Sequence, residues 1–383
     1  MSTLSTSSTA DAVTSPNDTS SKSIATLIVD DSALMRGMLS DFVNAELDLN
    51  AVGVARNGEE ALRKITSLSP DVVTLDVQMP GKDGLETLED ILAQHAIPIV
   101  MVSSLTERGA DITLRALEIG AVDYIAKPSD NQDRERFRQE LIGKIRSVAG
   151  TDVRRLQKIR NRRKSSVLSS PAATEPTKVI LTSDTPATYF RTCIAIGIST
   201  GGPPALAALL AQLSPPLPPI VIVQHMPEQF TGPFAKRLNE HSPLAVKEAE
   251  SGDRLQPNHV FVARGGHHLE LIRQGSHVAL QIVDGEPVSG HRPSVDVMMQ
   301  SASRIFGRRC LGIIMTGMGS DGVAGCQSIQ QAGGFVLGQD QASSDVYGMN
   351  KAAFVAGAVN EQFSLDDLPK LIPTHCRRLF LTH

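Results

Sequence analysis

Three residues in the second half of the chain could together break an acyl bond. Ser199 directly follows the apolar run CIAIGI, and Gly197-Ile198-Ser199-Thr200-Gly201 satisfies G-x-S-x-G. That spacing lets a chain turn sharply from strand to helix and holds a serine hydroxyl up at the strand's end. A tight turn needing small residues is the plainer reading of the same stretch. A serine also needs a base. His225 closes the next apolar run, in IVIVQHMP, so it should stand beside Ser199 at the same sheet edge. His291, in GHRPSVD, is its main rival. Asp321, in GIIMTGMGSDGVAG, follows a third apolar run and could fix the tautomer of the base. An N-cap aspartate in a glycine-rich turn is the alternative there. The order Ser…His…Asp differs from the Ser…Asp/Glu…His of α/β-hydrolases, so the motif does not import that fold.

The first half carries a different set. Asp30 and Asp31 end one apolar run, Asp76 another and Ser103 a third, while Lys127 follows a fourth just before Pro128. Open parallel sheets bind ligands at the carboxyl ends of their strands, which is where these residues fall. Carboxylates crowded together suit a hard cation such as Mg²⁺. A lysine and a hydroxyl beside them suit the oxygens of a phosphoryl group. The chemistry implied is phosphoryl transfer onto a metal-bound carboxylate. Singly, each residue reads as a cap or a turn; five groups at matching strand ends argue for a site.

The elements that must position these residues alternate. Apolar runs at 24–29, 51–55, 71–76, 97–102 and 122–125 are separated by helical patterns at Ala33–Leu49, Gly58–Leu68 and Ala110–Ile119. Runs at 193–198, 220–224, 259–263, 278–283 and 310–315 follow, with helical segments at 203–213 and 322–332. Strand–helix alternation predicts an α/β protein with two doubly wound parallel-sheet domains. We expect a disordered tail over 1–23, a first domain over 24–141, a linker over 142–190 and a second domain over 191–383. The linker begins with eight Lys and Arg residues between 146 and 164 and turns Ser/Thr/Pro-rich over 165–187. At ~150 residues per domain, 383 residues predict two or three domains.

A net charge of −4 argues against a dedicated nucleic-acid binder. Four cysteines without a C-x-x-C pair suit reduced thiols. The first residues lack the basic start and apolar core of a secretory signal, and no apolar stretch approaches the ~20 residues of a membrane span. A soluble, cytoplasmic protein, not inserted in a membrane, is expected.

Over residues 24–141, IVDDS, LDVQMPGKDG, VMVSS and GAVDYIAKP resemble the receiver domain of two-component response regulators, a flavodoxin-like fold. The resemblance implies Asp76 as phosphoacceptor, with a histidine kinase as phosphodonor. It implies Mg²⁺ held by Asp31, Asp76 and the carbonyl of Gln78, with Asp30 acting directly or through water. Ser103 and Lys127 would contact the phosphoryl group, and Tyr124 would be the aromatic that changes rotamer on activation. In the second half, IGISTGGPPAL, VQHMPEQFTGPFAKRL, HRPSVDVMMQSA, MTGMGSDGVAG and QDQASSDVYGMNKAAF resemble the catalytic domain of CheB-type chemotaxis protein-glutamate methylesterases, a Rossmann-like α/β fold.

That second resemblance implies a triad of Ser199, His225 and Asp321, and oxyanion donors among the backbone amides near Thr200 or Met318. It implies hydrolysis of glutamate γ-methyl esters on methylated chemoreceptors, with release of methanol, and deamidation of receptor glutamines. No cofactor is expected for the esterase step. Arg264, Asp345 and Asn350 depart from the family's pattern as we read it. The rival readings are a phosphorylation-dependent docking module with an inactive esterase half, a transcription factor and a serine protease.

Overall fold

The computed structural model describes residues 23–128, 134–158 and 187–381. Residues 1–22 of the expected tail and 159–186 of the expected linker lie outside the described residues.

In the first domain, strand β1 (Ile24–Val29) leads into α1 (Ala33–Asn44), β2 (Leu49–Ala55) and α2 (Gly58–Leu68). Then follow β3 (Val72–Asp76), α3 (Gly84–Gln94), β4 (Ile99–Ser103), α4 (Glu107–Ile119), β5 (Asp123–Ala126) and α5 (Arg134–Val148). The five strands are parallel in the order β2-β1-β3-β4-β5, so the order reverses beside β1, where Asp30 and Asp31 emerge. Helices start promptly after the strands because Ser32, Asn57, Asp83 and Thr106 each cap an N-terminus with a side-chain oxygen. The first helix is shorter than its apolar pattern suggests. It stops at Asn44, and Leu49 is buried as the first residue of β2, paired with Ile24.

At the other end, α5 continues through the expected boundary at 141. Ile145, Val148, Val153 and Leu156 belong to the same core as Ile28 and Val100. Arg146 is tied to Asp48 and Glu46 rather than free in a basic linker. The charges in this stretch mask an apolar stripe that continues from Leu141 and Ile142.

The second domain runs β6 (Cys193–Ile198), α6 (Gly202–Leu210), β7 (Ile220–Gln224), α7 (Glu228–His241), β8 (Ala245–Glu248) and β9 (His259–Val262). A hairpin follows, β10 (His268–Gln274) and β11 (His277–Val283), then α8 (Val295–Phe306), β12 (Cys310–Ile314) and α9 (Val323–Gln331). The chain closes with β13 (Phe335–Gln339), α10 (Met349–Val355), β14 (Glu361–Phe363) and α11 (Leu368–Leu381). Seven strands form a parallel sheet in the order β14-β13-β12-β6-β7-β9-β8. The central β6 lies between β7 and β12, so loops from the three strands converge at one crevice. One expected strand is placed elsewhere. Residues 278–283 pair antiparallel with β10 across the two-residue turn Gly275-Ser276, outside the main sheet.

The two domains share a core. Buried residues of α4 and β5 cluster with Leu206, Phe230, Phe234 and Leu238 of α6 and α7. The Tyr124 ring stacks on Phe230 at 4.9 Å and 17°. Arg237 pairs with both carboxylate oxygens of Glu118, one at 2.7 Å.

Candidate functional sites

At the carboxyl edge of the second sheet, Ile198 and Gln224 are register partners, which makes Ser199 and His225 the next positions on neighbouring strands. Strands lie ~4.8 Å apart, so the two are adjacent. The edge is pinned by a backbone bond from Ser199 N to the Thr316 carbonyl at 3.0 Å and by the Gln224 side-chain amide, whose Nε2 donates to the Ser199 carbonyl at 3.0 Å. Both motif glycines are required. A Cβ on Gly197 would lie 2.2 Å from Val295 Cγ1, and Gly201 has φ of +77°.

His225 Nε2 is 2.8 Å from Asp321 Oδ2. That bond requires the proton on Nε2 and leaves a lone pair on Nδ1. Nδ1 is buried without a hydrogen-bond partner among the described residues. No hydrogen bond joins Ser199 Oγ to His225, so the structure brings the pair to one edge with the nucleophile–base bond unmade.

Asp321 is not the cap of the helix that follows it; Gly322 holds that position without a side-chain bond. Its carboxylate reaches instead to the start of α8. There it accepts from Ser294 Oγ at 2.8 Å, Val295 N at 2.7 Å and Asp296 N at 3.1 Å. Burial works to raise its pKa, but His225 and these donors win and hold the carboxyl down at about 2. The Ser294–Asp296 donors were not singled out from the sequence. S-x-D directly after HRP is their only local trace, and nothing in it points to a partner 25 or more residues away.

The expected oxyanion region lies beneath the first domain. Thr200 is buried and donates its hydroxyl to Asp123 Oδ2 at 2.5 Å. Asp123 Oδ1 pairs with Lys144 at 3.0 Å. Met318 packs on α5, where a Cβ added to Gly143 would fall 3.1 Å from its Cε. The three departing residues also find places. Arg264 pairs with Glu228, Asn350 ties the Gln339 carbonyl to Ser344, and Asp345 abuts Gly201.

In the first domain, Asp30, Asp31 and Asp76 bring carboxylate oxygens within 4.8 Å of one another. All are hard donors, and the set fits a divalent cation. The Lys127 ammonium lies 2.8 Å from Asp76 Oδ2 and 3.0 Å from Asp30 Oδ2. Gln78 contributes its backbone N–H to Asp76 Oδ1 at 3.2 Å. Burial raises the Asp76 carboxyl to about 6; Lys127 opposes the rise and the Asp30 charge adds to it. Ser103 is at the same edge, but its hydroxyl is engaged by the carbonyls of Gly109 and Ser104. Tyr124 stands apart from the acidic pocket, between Phe230 and the Lys144 ammonium 5.3 Å from its ring centre.

An acidic pocket on one sheet and a serine–histidine–aspartate edge on the other define the class, a response regulator whose output domain is a hydrolase. The profile of the response regulator receiver domain matches residues 26–137, and that of the CheB methylesterases matches residues 194–372. The chain is 43% identical to protein-glutamate methylesterase/protein-glutamine glutaminase 1 of Geobacter metallireducens, over 92% of this chain and 95% of that protein. It is 42% identical to the protein of the same activity name from Nitrosomonas europaea, over 92% of this chain and 96% of the relative. The crystal structure of the Thermotoga maritima CheB methylesterase catalytic domain is 35% identical and covers 47% of this chain and 96% of its own, with a TM-score of 0.46. The chain belongs to the CheB methylesterase family. Among the described residues, no helix is long and apolar enough to cross a membrane.

Proposed function

We propose that the chain hydrolyses glutamate γ-methyl esters on chemoreceptors, releasing methanol, and deamidates receptor glutamines by the same route. The observation that carries the reading is the buried Asp321–His225 bond, which leaves Nδ1 as the open nitrogen of a histidine whose strand end adjoins that of Ser199. Ser199 Oγ attacks the ester carbonyl as its proton passes to Nδ1. The resulting oxyanion is met by backbone amides near Thr200 and Met318. His225 returns the proton to the leaving methanol, and water then opens the acyl-enzyme by the same path in reverse. Asp321 holds the tautomer and balances the imidazolium.

The receiver supplies control. A histidine kinase, or a small phosphodonor, places a phosphoryl group on Asp76. Asp30, Asp31, Asp76 and the Gln78 carbonyl would hold Mg²⁺, which neutralises charge on the phosphoryl oxygens when bound. Lys127 and Ser103 would take those oxygens, Ser103 after leaving its present partners. Before that, α4, β5 and α5 lie against α6, α7 and Thr200, which favours an unphosphorylated receiver that covers the esterase edge and a phosphorylated one that withdraws. The work is cytoplasmic, on the inner ends of receptors.

Methanol release from methylated receptor membranes tests this, comparing wild type with Ser199→Ala, each with and without Mg²⁺ and a small phosphodonor. Release by the wild type alone, accelerated by the phosphodonor, is expected. Equal release by the mutant would end the serine assignment. No release from either would favour the docking-module reading.

A further inference from the structure

His291, the residue that competes with His225 for the role of base in the sequence, is placed face to face with it. The two imidazole rings stack with centroids 3.7 Å apart and planes 6° from parallel. Asp321 bonds to His225 and not to His291, so only His225 has the orienting carboxylate that a base needs.

The segment carrying His291 is held from several sides. Val288 and His291 exchange both backbone hydrogen bonds across Ser289 (φ 54°) and Gly290 (φ 79°), the signature of a tight two-residue turn. Arg292 then accepts from Gly266 N and donates to the Gly285 carbonyl at 2.6 Å. Three residues after His291, the chain delivers Ser294, Val295 and Asp296 to Asp321. One six-residue stretch therefore grips both partners of the His225–Asp321 pair, the carboxylate by hydrogen bonds and the imidazole by its face.

We propose that His291 is a positioning residue for the esterase reaction, whose stacked ring holds the His225 imidazole in the plane that joins Asp321 to Ser199. This rests on the triad reading. The Nε2–Asp321 bond alone leaves the ring free to tilt about that bond, and a parallel ring in van der Waals contact removes the freedom.

For the stack to survive proton transfer, one ring must remain neutral while the other becomes imidazolium. The surroundings of His291 arrange this. Burial pushes its pKa down to about 3, with His225 beside it and Lys144 and Arg136 of α5 acting in the same direction; only Asp321 opposes. His225 itself faces Asp321 and His291, and Asp296 stands behind Asp321.

The test uses the full chain, activated by Mg²⁺ and a small phosphodonor, with methylated receptor membranes as substrate. His291→Ala, His291→Leu and His291→Phe are compared with wild type and with His225→Gln. We expect kcat to fall about tenfold in His291→Ala and His291→Leu with KM nearly unchanged, and His291→Phe, which keeps a flat neutral ring, to stay within about threefold of wild type. Wild-type kcat in His291→Ala, or equal losses in the Leu and Phe variants with unchanged melting temperatures, would overturn the proposal. Should His291→Ala fail to fold, the Leu–Phe pair decides. Activity in His225→Gln would instead overturn the triad reading on which the proposal stands.

Discussion

Asp76 ends strand β3 and Asp321 lies in the loop after β12, both at the carboxyl edge of a parallel sheet; both are buried, and their acidities are driven in opposite directions. Asp321 meets two amides, a hydroxyl and an imidazole, and its pKa falls to about 2. Asp76 meets one amide and a lysine it shares with Asp30, and its pKa climbs to about 6. Burial pushes both upward; the count of donors, and whether another carboxylate competes for them, decides the outcome. The difference suits the two tasks. A carboxylate that steadies a base must stay charged throughout the cycle, so its charge is fully met. One that is to accept a phosphoryl group is left with charge that a cation and that group can still claim.

The comparison can be broken most sharply at Asp321. Asp321→Asn keeps the shape but can reverse the tautomer of His225, and kcat for methanol release should fall by about 10⁴-fold. A loss under tenfold would mean that the carboxylate only caps α8. Next comes the contact between the two regions. Tyr124→Ala removes the stack on Phe230, and basal release without phosphodonor should rise about tenfold while the fold-stimulation shrinks. Unchanged basal activity would show that Tyr124 does not help hold the receiver in place.

A smaller effect separates the donors of Asp321. Ser294→Ala removes one of its bonds and should lower kcat by roughly tenfold, about 1–1.5 kcal/mol. The last test reads Asp76 by stability. Its folded pKa is raised, so ionising it costs stability; the cost is absent below the unfolded value near 4 and complete above about 6. Asp76→Asn should therefore stabilise the metal-free protein at pH 8 by on the order of 1–2 kcal/mol and make little difference at pH 4, as seen by thermal melts. Asp321 runs the other way. Its contribution is present above the unfolded value and is lost as pH falls toward about 2.

Much of this was legible in the sequence because strand ends are legible. Ser199, His225, Asp30 and Asp76 each close or follow an apolar run, and parallel topology brings such positions together. What could not be read is how those positions are satisfied. The α8 amides that hold Asp321 lie 25 or more residues away and have no side-chain signature, since an amide looks the same in every sequence. His291 was visible as a histidine but not as a ring lying on another ring. The end of α5 was obscured because Lys144 and Arg146 interrupt its apolar face, and their partners, Asp123, Glu46 and Asp48, come from other elements. The hairpin β10–β11 escaped for a related reason, because a short apolar run does not reveal whether its neighbour is parallel.

The hydroxyl of Thr200 is given to a carboxylate of the other domain, one residue from the nucleophile. On the proposed control, the receiver would compete with substrate for the esterase edge from within the same chain, independently of the protein's abundance. A substrate must displace it, and linkage makes the displacement reciprocal. Crowded receptor tails that draw the esterase edge open should also make Asp76 easier to phosphorylate. Local receptor density would then act as a second input, alongside the kinase, to the same switch.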